Sequence, residues 1–272
     1  MQDGEYIYCS SCDVDVHVDS FRRQVISALL LDPVIINVHS GHDSWDTRTA
    51  TEYFVQVLAI ENELTIGRDI AIVHETHRQR QLHSPFQTMA LLNRPELREL
   101  KINADLSHWV CLCERVFSNP GRDPWWPDLL QRLAEHCMFI HARVGHAEGP
   151  QVFDPRRVDL FDNEVNAHLE WWEVIWNCRR VKGATIMYIE PEHGPEPYQS
   201  YYTVPIRCND PGGSGITSSD VDSTDRFIVD RSAHEAAIHD EEKKSKILWD
   251  INAYVGALAK NKFNSAASIG NR

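Results

Sequence analysis

Four short apolar runs in this chain stop abruptly in side chains that can hold a metal ion or move a proton. The run Asp69, Ile70, Ala71, Ile72, Val73 breaks off in His74, Glu75, His77 and Arg78. LKINADLSHW leads to Asp105 and His108, CMFIHARVGH to His141 and Arg143, and GATIMYIEPEHGP to Glu190, Glu192 and His193. Runs rich in β-branched residues that end this way read as strands delivering chemistry at their C-terminal ends. Glu75, Asp105, His141 and one of Glu190 or Glu192 amount to three carboxylates and an imidazole. Such a donor set suits one divalent metal ion as cofactor, Mn²⁺, Mg²⁺ or Co²⁺, with Zn²⁺ also admitted. Any one of these residues alone would more often be a surface charge or half of a salt bridge. The same event at four successive strand ends is what points to a site.

Such residues converge only if the strands run parallel, with helices between them. The expected fold class is therefore α/β, a (β/α) TIM barrel whose strand ends share one rim. Helical spacing predicts helices in DSFRRQVISALLL (capped at Asp19 or Ser20), from Thr47 to Leu64 behind Asp46, in HWVCLCERVF with Trp109, Leu112, Val116 and Phe117 inward, in DPWWPDLLQRLAEH with Pro124 in its first turn, in NEVNAHLEWWEVIWNCRRV and in KILWDINAYVGALAKN. EYIYCS and PVIINVHSG complete a set of six strands, with GATIMYI as the last. A closed barrel of this type has eight, so an incomplete barrel without its first one or two βα units is expected. The organisation that follows is a barrel core over residues 1–206, an insertion or disordered segment over 207–246 rich in Gly, Ser and Asp, and a C-terminal helix over 247–263 packing on the barrel.

Composition narrows the function classes. At 272 residues, 42% hydrophobic and 25% charged, the chain is an ordinary globular one of single-barrel size. A net charge of −13 argues against nucleic acid and anionic membranes as partners. No secretory leader or membrane span is visible. Seven scattered cysteines fit reduced thiols in a cytoplasmic protein, and Cys9 with Cys12 forms an isolated CxxC lacking zinc-site or thioredoxin context.

VHETHR, NADLSHW, FIHARVG, EGPQ and PEHGPEPY, taken together over roughly Pro33 to Tyr198, resemble the xylose-isomerase-like TIM-barrel superfamily in its sugar phosphate isomerase and epimerase branch. The resemblance implies Glu75, Asp105, His141 and Glu192 as metal ligands. Glu192 is preferred to Glu190 because PEHGP matches the family's PE-x-GP pattern. It implies His108, three residues after the Asp, as a substrate contact. Arg143, two residues beyond His141, projects to the same side of an extended segment and joins it. His39, which ends a strand on the same rim, is a third candidate for binding substrate. The implied reaction isomerises or epimerises a small sugar, sugar phosphate or related hydroxy-carbonyl compound, with Glu75 and Glu192 as the catalytic pair that removes and returns a proton through a metal-stabilised enediolate. His77 sits beside Glu75 with either a pocket-facing or a solvent role. The loop Glu148, Gly149, Pro150, Gln151 is a candidate rim segment. The tryptophans Trp125, Trp126, Trp171, Trp172 and Trp176 read as helix packing rather than sugar platforms. A homo-oligomer is left open. The rival readings are a catalytically inactive barrel serving as a binding module, a hydrolase like the apurinic-site endonucleases, and a dehydratase using the same metal and base.

Overall fold

The structure is a computed structural model that describes residues 11–195, 198 and 241–269. The strand expected at EYIYCS, and Cys9 of the CxxC, lie outside the described residues, as do positions 207–240 of the expected insertion. Five strands form one wholly parallel sheet in sequential order: β1 (Ile35–Val38), β2 (Ala71–Glu75), β3 (Ile102–Ala104), β4 (Cys137–Ala142) and β5 (Tyr188–Pro191). The sheet curls into half a barrel. Helices alternate with the strands: α1 (Val14–Leu29), α2 (Thr47–Leu64), α3 (Pro85–Leu92), α4 (Ser107–Leu112), α5 (Trp126–His136), α6 (Val158–Val181) and α7 (Glu241–Ile269), with a short 3₁₀ turn at Pro95–Leu97.

Local chemistry starts most of these helices. Asp46 caps α2 by accepting from the Thr49 amide at 2.8 Å, and Ser84 caps α3 just ahead of Pro85. α1 begins earlier than its apolar spacing suggests, because Asp13 accepts from the Asp15 amide and starts the helix before Asp19. α4 ends at Leu112 and leaves that residue exposed. The chain then turns through Glu114 at positive φ, and Phe117 reaches the core from a loop instead of a helix. α5 starts at Trp126 with Pro127, not Pro124, in its first turn. Gly183 (φ +87°) closes α6 with Ala184 N–H donating to the Arg179 carbonyl at 3.0 Å, so β5 starts at Tyr188, later than the apolar run GATIMYI implies. α7 starts at Glu241, ahead of the expected boundary at 247, and Gly256 lets it press on Pro191 at the end of β5.

The core lies between sheet and helices. Phe54 and Val57 of α2, Trp109 of α4, Leu133 of α5, and Trp172 and Ile175 of α6 are all buried there. Trp126 and Trp171 pack edge to face at 4.9 Å against Phe117, which makes the tryptophans packing groups. Among the described residues no helix is long and apolar enough to cross a membrane.

Alternation along the strands sorts side chains to two faces. His74 points to the helix side, where its Nε2 meets Glu61 Oε1 of α2 at 2.7 Å and its Nδ1 meets Ser40 Oγ at 2.5 Å. Its neighbour Glu75 therefore points to the concave side. Asn37 joins it there from β1 and Asn103 from β3, linked to each other at 3.1 Å. A register shift between Ile102 and Asn103 pairs Asn103 with Phe139 rather than Met138. That one-residue slip brings Asp105 level with His141 on the concave face.

Candidate metal centre

The four residues expected as ligands meet at the C-terminal rim of the half-barrel. Glu75 ends β2, Asp105 follows β3, His141 lies in β4, and Glu192 follows β5. One donor atom from each lies within 4.8 Å of the other three. Ligand bonds of about 2.0–2.2 Å place donors around one ion roughly 3–4 Å apart, so small side-chain adjustments close this cage. The choice between Glu190 and Glu192 is also geometric. β5 pairs Glu190 with His141, yet the Glu190 carboxylate is 59% exposed and 3.7 Å from the imidazole. Glu192 Oε2 lies 2.7 Å from His141 Nδ1 and 3.5 Å from Arg143, and only Glu192 belongs to the four-residue cluster.

Each donor is held by neighbours. Glu75 Oε2 accepts from Asn37 Nδ2 at 2.5 Å and faces His39 Nε2 at 3.1 Å. Asp105 Oδ1 accepts from the Ser107 amide at 3.1 Å and from its hydroxyl, while Oδ2 takes the Arg143 guanidinium. Arg143 Nε in turn donates to Ser107 Oγ at 3.2 Å, and its Nη2 lies 2.8 Å from His108 Nε2. His108, Arg143 and His39, expected to touch substrate, thus all border the cluster. Tyr198 lies with its ring under the Arg143 guanidinium at 5.2 Å.

The electrostatics follow from these contacts. Burial pushes the Glu75 carboxyl up, but His39 and His141 outweigh it and hold the group at about 2. Burial is opposed likewise at Asp105, where the Arg143 guanidinium keeps the carboxyl well below the ordinary range. His141 is drawn down by burial and up by Glu192 and Glu75, with a net rise to about 9. Burial raises Glu192 and lowers His108 to about 3 and His77 to about 4.

Two observations test whether a cation fits here. His141 Nδ1 and Glu192 Oε2 are buried and form an ion pair at 2.7 Å, and neither atom has a hydrogen-bond partner. Buried polar atoms are costly when left so, and a cation satisfies both. Three carboxylates against one guanidinium also leave two negative charges, which a divalent ion cancels once His141 is neutral. The cluster can hold a metal.

No family model, no curated protein and no solved structure matches this chain.

The remaining candidates divide. His77 faces the cluster, its ring 4.3 Å from His39 and 4.0 Å from His108. Gln151 of the candidate rim loop is buried and exchanges hydrogen bonds with the Gly194 backbone at 3.1 and 2.9 Å, which ties that loop to the segment carrying Glu192. Asn37, Asn103 and Ser107 are site residues that motif reading passes over. Asn37 carried a signal, as a polar residue two positions before His39 in an otherwise apolar strand. Ser107 carried another, two residues after Asp105 where an Asx turn forms.

Proposed function

We propose that this chain is a divalent-metal-dependent isomerase or epimerase of a small sugar or related hydroxy-carbonyl compound. The observation that carries the reading is the convergence of Glu75, Asp105, His141 and Glu192 on one rim, where His141 Nδ1 and Glu192 Oε2 are buried without a hydrogen-bond partner. A bound dication there supplies Lewis-acid polarisation of a carbonyl and its neighbouring hydroxyl. The protein supplies the rest. Glu192, at 34% side-chain exposure, is the carboxylate open to an entering substrate, while Glu75 is buried behind it. Glu192 takes the proton from the carbon next to the carbonyl, and the C–H electrons form the double bond of an enediolate. Return of that proton by Glu192 to the neighbouring carbon isomerises the sugar; epimerisation instead takes a proton from solvent, passed by Glu75 as the second catalytic carboxylate to the other face of the same carbon, while Glu192 releases its own to solvent. Arg143 and His108 sit where they can donate to substrate oxygens, and the Arg143 charge favours the oxyanion. The resemblance to xylose-isomerase-like barrels supports this reading, with the chain as an incomplete (β/α) barrel.

The test is solvent exchange. Metal-loaded protein in D₂O, screened against ketoses, aldoses and their phosphates, should place deuterium on a carbon adjacent to the carbonyl of at least one compound. Glu192→Gln should abolish that uptake without loss of fold. Exchange that persists in Glu192→Gln removes this residue from the mechanism, and loss of water in place of exchange points to a dehydratase.

A further inference from the structure

Arg78 follows the strand end that carries Glu75, and the reaction proposed above gives it no part. The turn that presents it is pinned at both ends. The Thr76 amide donates to the Asn103 carbonyl at 3.1 Å and Thr76 Oγ1 to the Asp105 carbonyl at 2.8 Å, while the Gln81 amide donates to the Ser40 carbonyl at 2.9 Å. Between these points His77 Nδ1 donates to the Arg78 carbonyl. The Arg78 side chain is half-buried, and its guanidinium carbon lies 5.8 Å from the centre of the Tyr198 ring, the same ring that the Arg143 guanidinium meets at 5.2 Å. Its Nη1 donates to Cys111 Sγ at 3.7 Å. A thiol sulfur and a ring face are weak acceptors, and among the described residues Arg78 has no carboxylate partner. A planar fork of donors, held beside the metal cluster and short of an anion, is shaped for an oxyanion.

We infer that Arg78 selects a substrate bearing a carboxylate away from its reacting carbonyl, which makes the compound a hydroxy-carbonyl acid of the keto-aldonate class. The inference rests on the reaction proposed above for where that carbonyl sits. Arg143 holds Asp105 directly, whereas Arg78 meets none of the four clustered residues, so the group it binds lies apart from the metal. Charge balance chooses the anion. A divalent ion together with Arg143 neutralises Glu75, Asp105 and Glu192, so Arg78 stands as one positive charge in excess, and one carboxylate cancels it. A phosphate ester carries about 1.5–2 negative charges at neutral pH and would leave part of that charge uncompensated beside three carboxylates. Because the turn is fixed beforehand, little ordering accompanies binding, and the guanidinium acts on substrate affinity rather than on the chemical step.

The test offers Mn²⁺-loaded full chain three sets of compounds in D₂O: keto-aldonates, the matching neutral ketoses, and ketose phosphates. Wild type should exchange deuterium into a keto-aldonate with kcat/KM about tenfold or more above that for its ketose. Arg78→Gln should remove this preference through KM, and Arg78→Lys, which keeps the charge without the fork, should retain part of it; circular dichroism checks both folds. Equal constants for acid and ketose in the wild type overturn the inference, as does a preference that survives Arg78→Gln. An equal loss for acid and ketose in Arg78→Gln shows a structural role and overturns it too. A preference for ketose phosphates that Arg78→Gln removes overturns the carboxylate. Should no compound exchange, the reaction proposed above falls, and calorimetry of the Mn²⁺-loaded chain with D-gluconate and D-glucitol decides on Arg78 alone. D-gluconate should bind about tenfold or more tightly than D-glucitol, and Arg78→Gln should erase the difference. Equal binding, or a difference that survives the substitution and so places the carboxylate on the metal, overturns the inference.

Discussion

Replacing Arg143 by Met should damage the metal-free protein far more than the metal-loaded one. Arg143 is buried and holds Asp105 Oδ2, while Asp105 itself is fully enclosed. Removing the guanidinium leaves a carboxylate with its Ser107 contacts and, as counter-charge, only the more distant His141 imidazolium, because His108 at 3.5 Å is held neutral by burial. Breaking one side of a buried pair costs about 3–5 kcal/mol, which is roughly a 10 °C fall in melting temperature for a domain of this size. A dication bound by Asp105 supplies the missing positive charge, so saturating Mn²⁺ should recover at least half of the loss. The assay is thermal or urea unfolding of wild type and Arg143→Met, each with chelator and with excess Mn²⁺. An equal loss in both conditions would refute the claim that Arg143 and the metal share Asp105 as a common partner. A loss under about 1 kcal/mol without metal would show that the pair is not buried as described.

Three further outcomes are expected. A methyl group at Gly145 would sit 2.8 Å from the Ser107 Cα and carbonyl oxygen, so Gly145→Ala should cost about 1–3 kcal/mol by overpacking and weaken Mn²⁺ binding by displacing the turn that holds Asp105; unchanged affinity in calorimetry would uncouple the two. Ser40→Ala strips the Nδ1 partner from the buried His74 and should lower urea stability by about 1–3 kcal/mol, with no change refuting that hydrogen bond. His168 is neutral in the fold: Nδ1 donates to the Glu164 carbonyl at 2.8 Å, and Nε2 accepts from the Gly145 amide at 3.3 Å. Burial holds its folded value at about 4 against 6.5 when unfolded. Below 6.5 the unfolded chain binds the proton more readily, so this contribution is full above that value and is lost as pH falls toward 4, about 3 kcal/mol in all. His168→Gln should flatten stability over that window, and an identical pH slope in wild type and variant would remove His168 as the cause.

Much of the architecture was legible from order and periodicity. Apolar runs alternating with 3.6-period segments imply a parallel sheet, because each strand must return to the same end through a helix. Strand ends in a parallel sheet share a rim, so Glu75, Asp105, His141 and one of Glu190 or Glu192 could be named without coordinates, the resemblance alone preferring Glu192. Where elements stop was less legible, since termini answer to caps and turns: Asp13 starts α1 early, Gly183 delays β5, and the turn at Glu114 cuts α4 short. Those are local geometries that apolar spacing does not report.

Tertiary structure alone decided which atoms meet. The slip of one residue between β3 and β4 sets the level of Asp105 against His141, and it arises from how two separate strands pair rather than from either one. Glu192 displaces Glu190 because the chain bends inward after β5, tied there by Gln151 to Gly194 and by Asn252 to His193. Asn37 and His39 become neighbours of the Glu75 carboxylate only once β1 pairs with β2. Residue type and spacing specify what each strand end can offer; register and curvature, set by packing over the whole chain, specify which offers are within bonding distance.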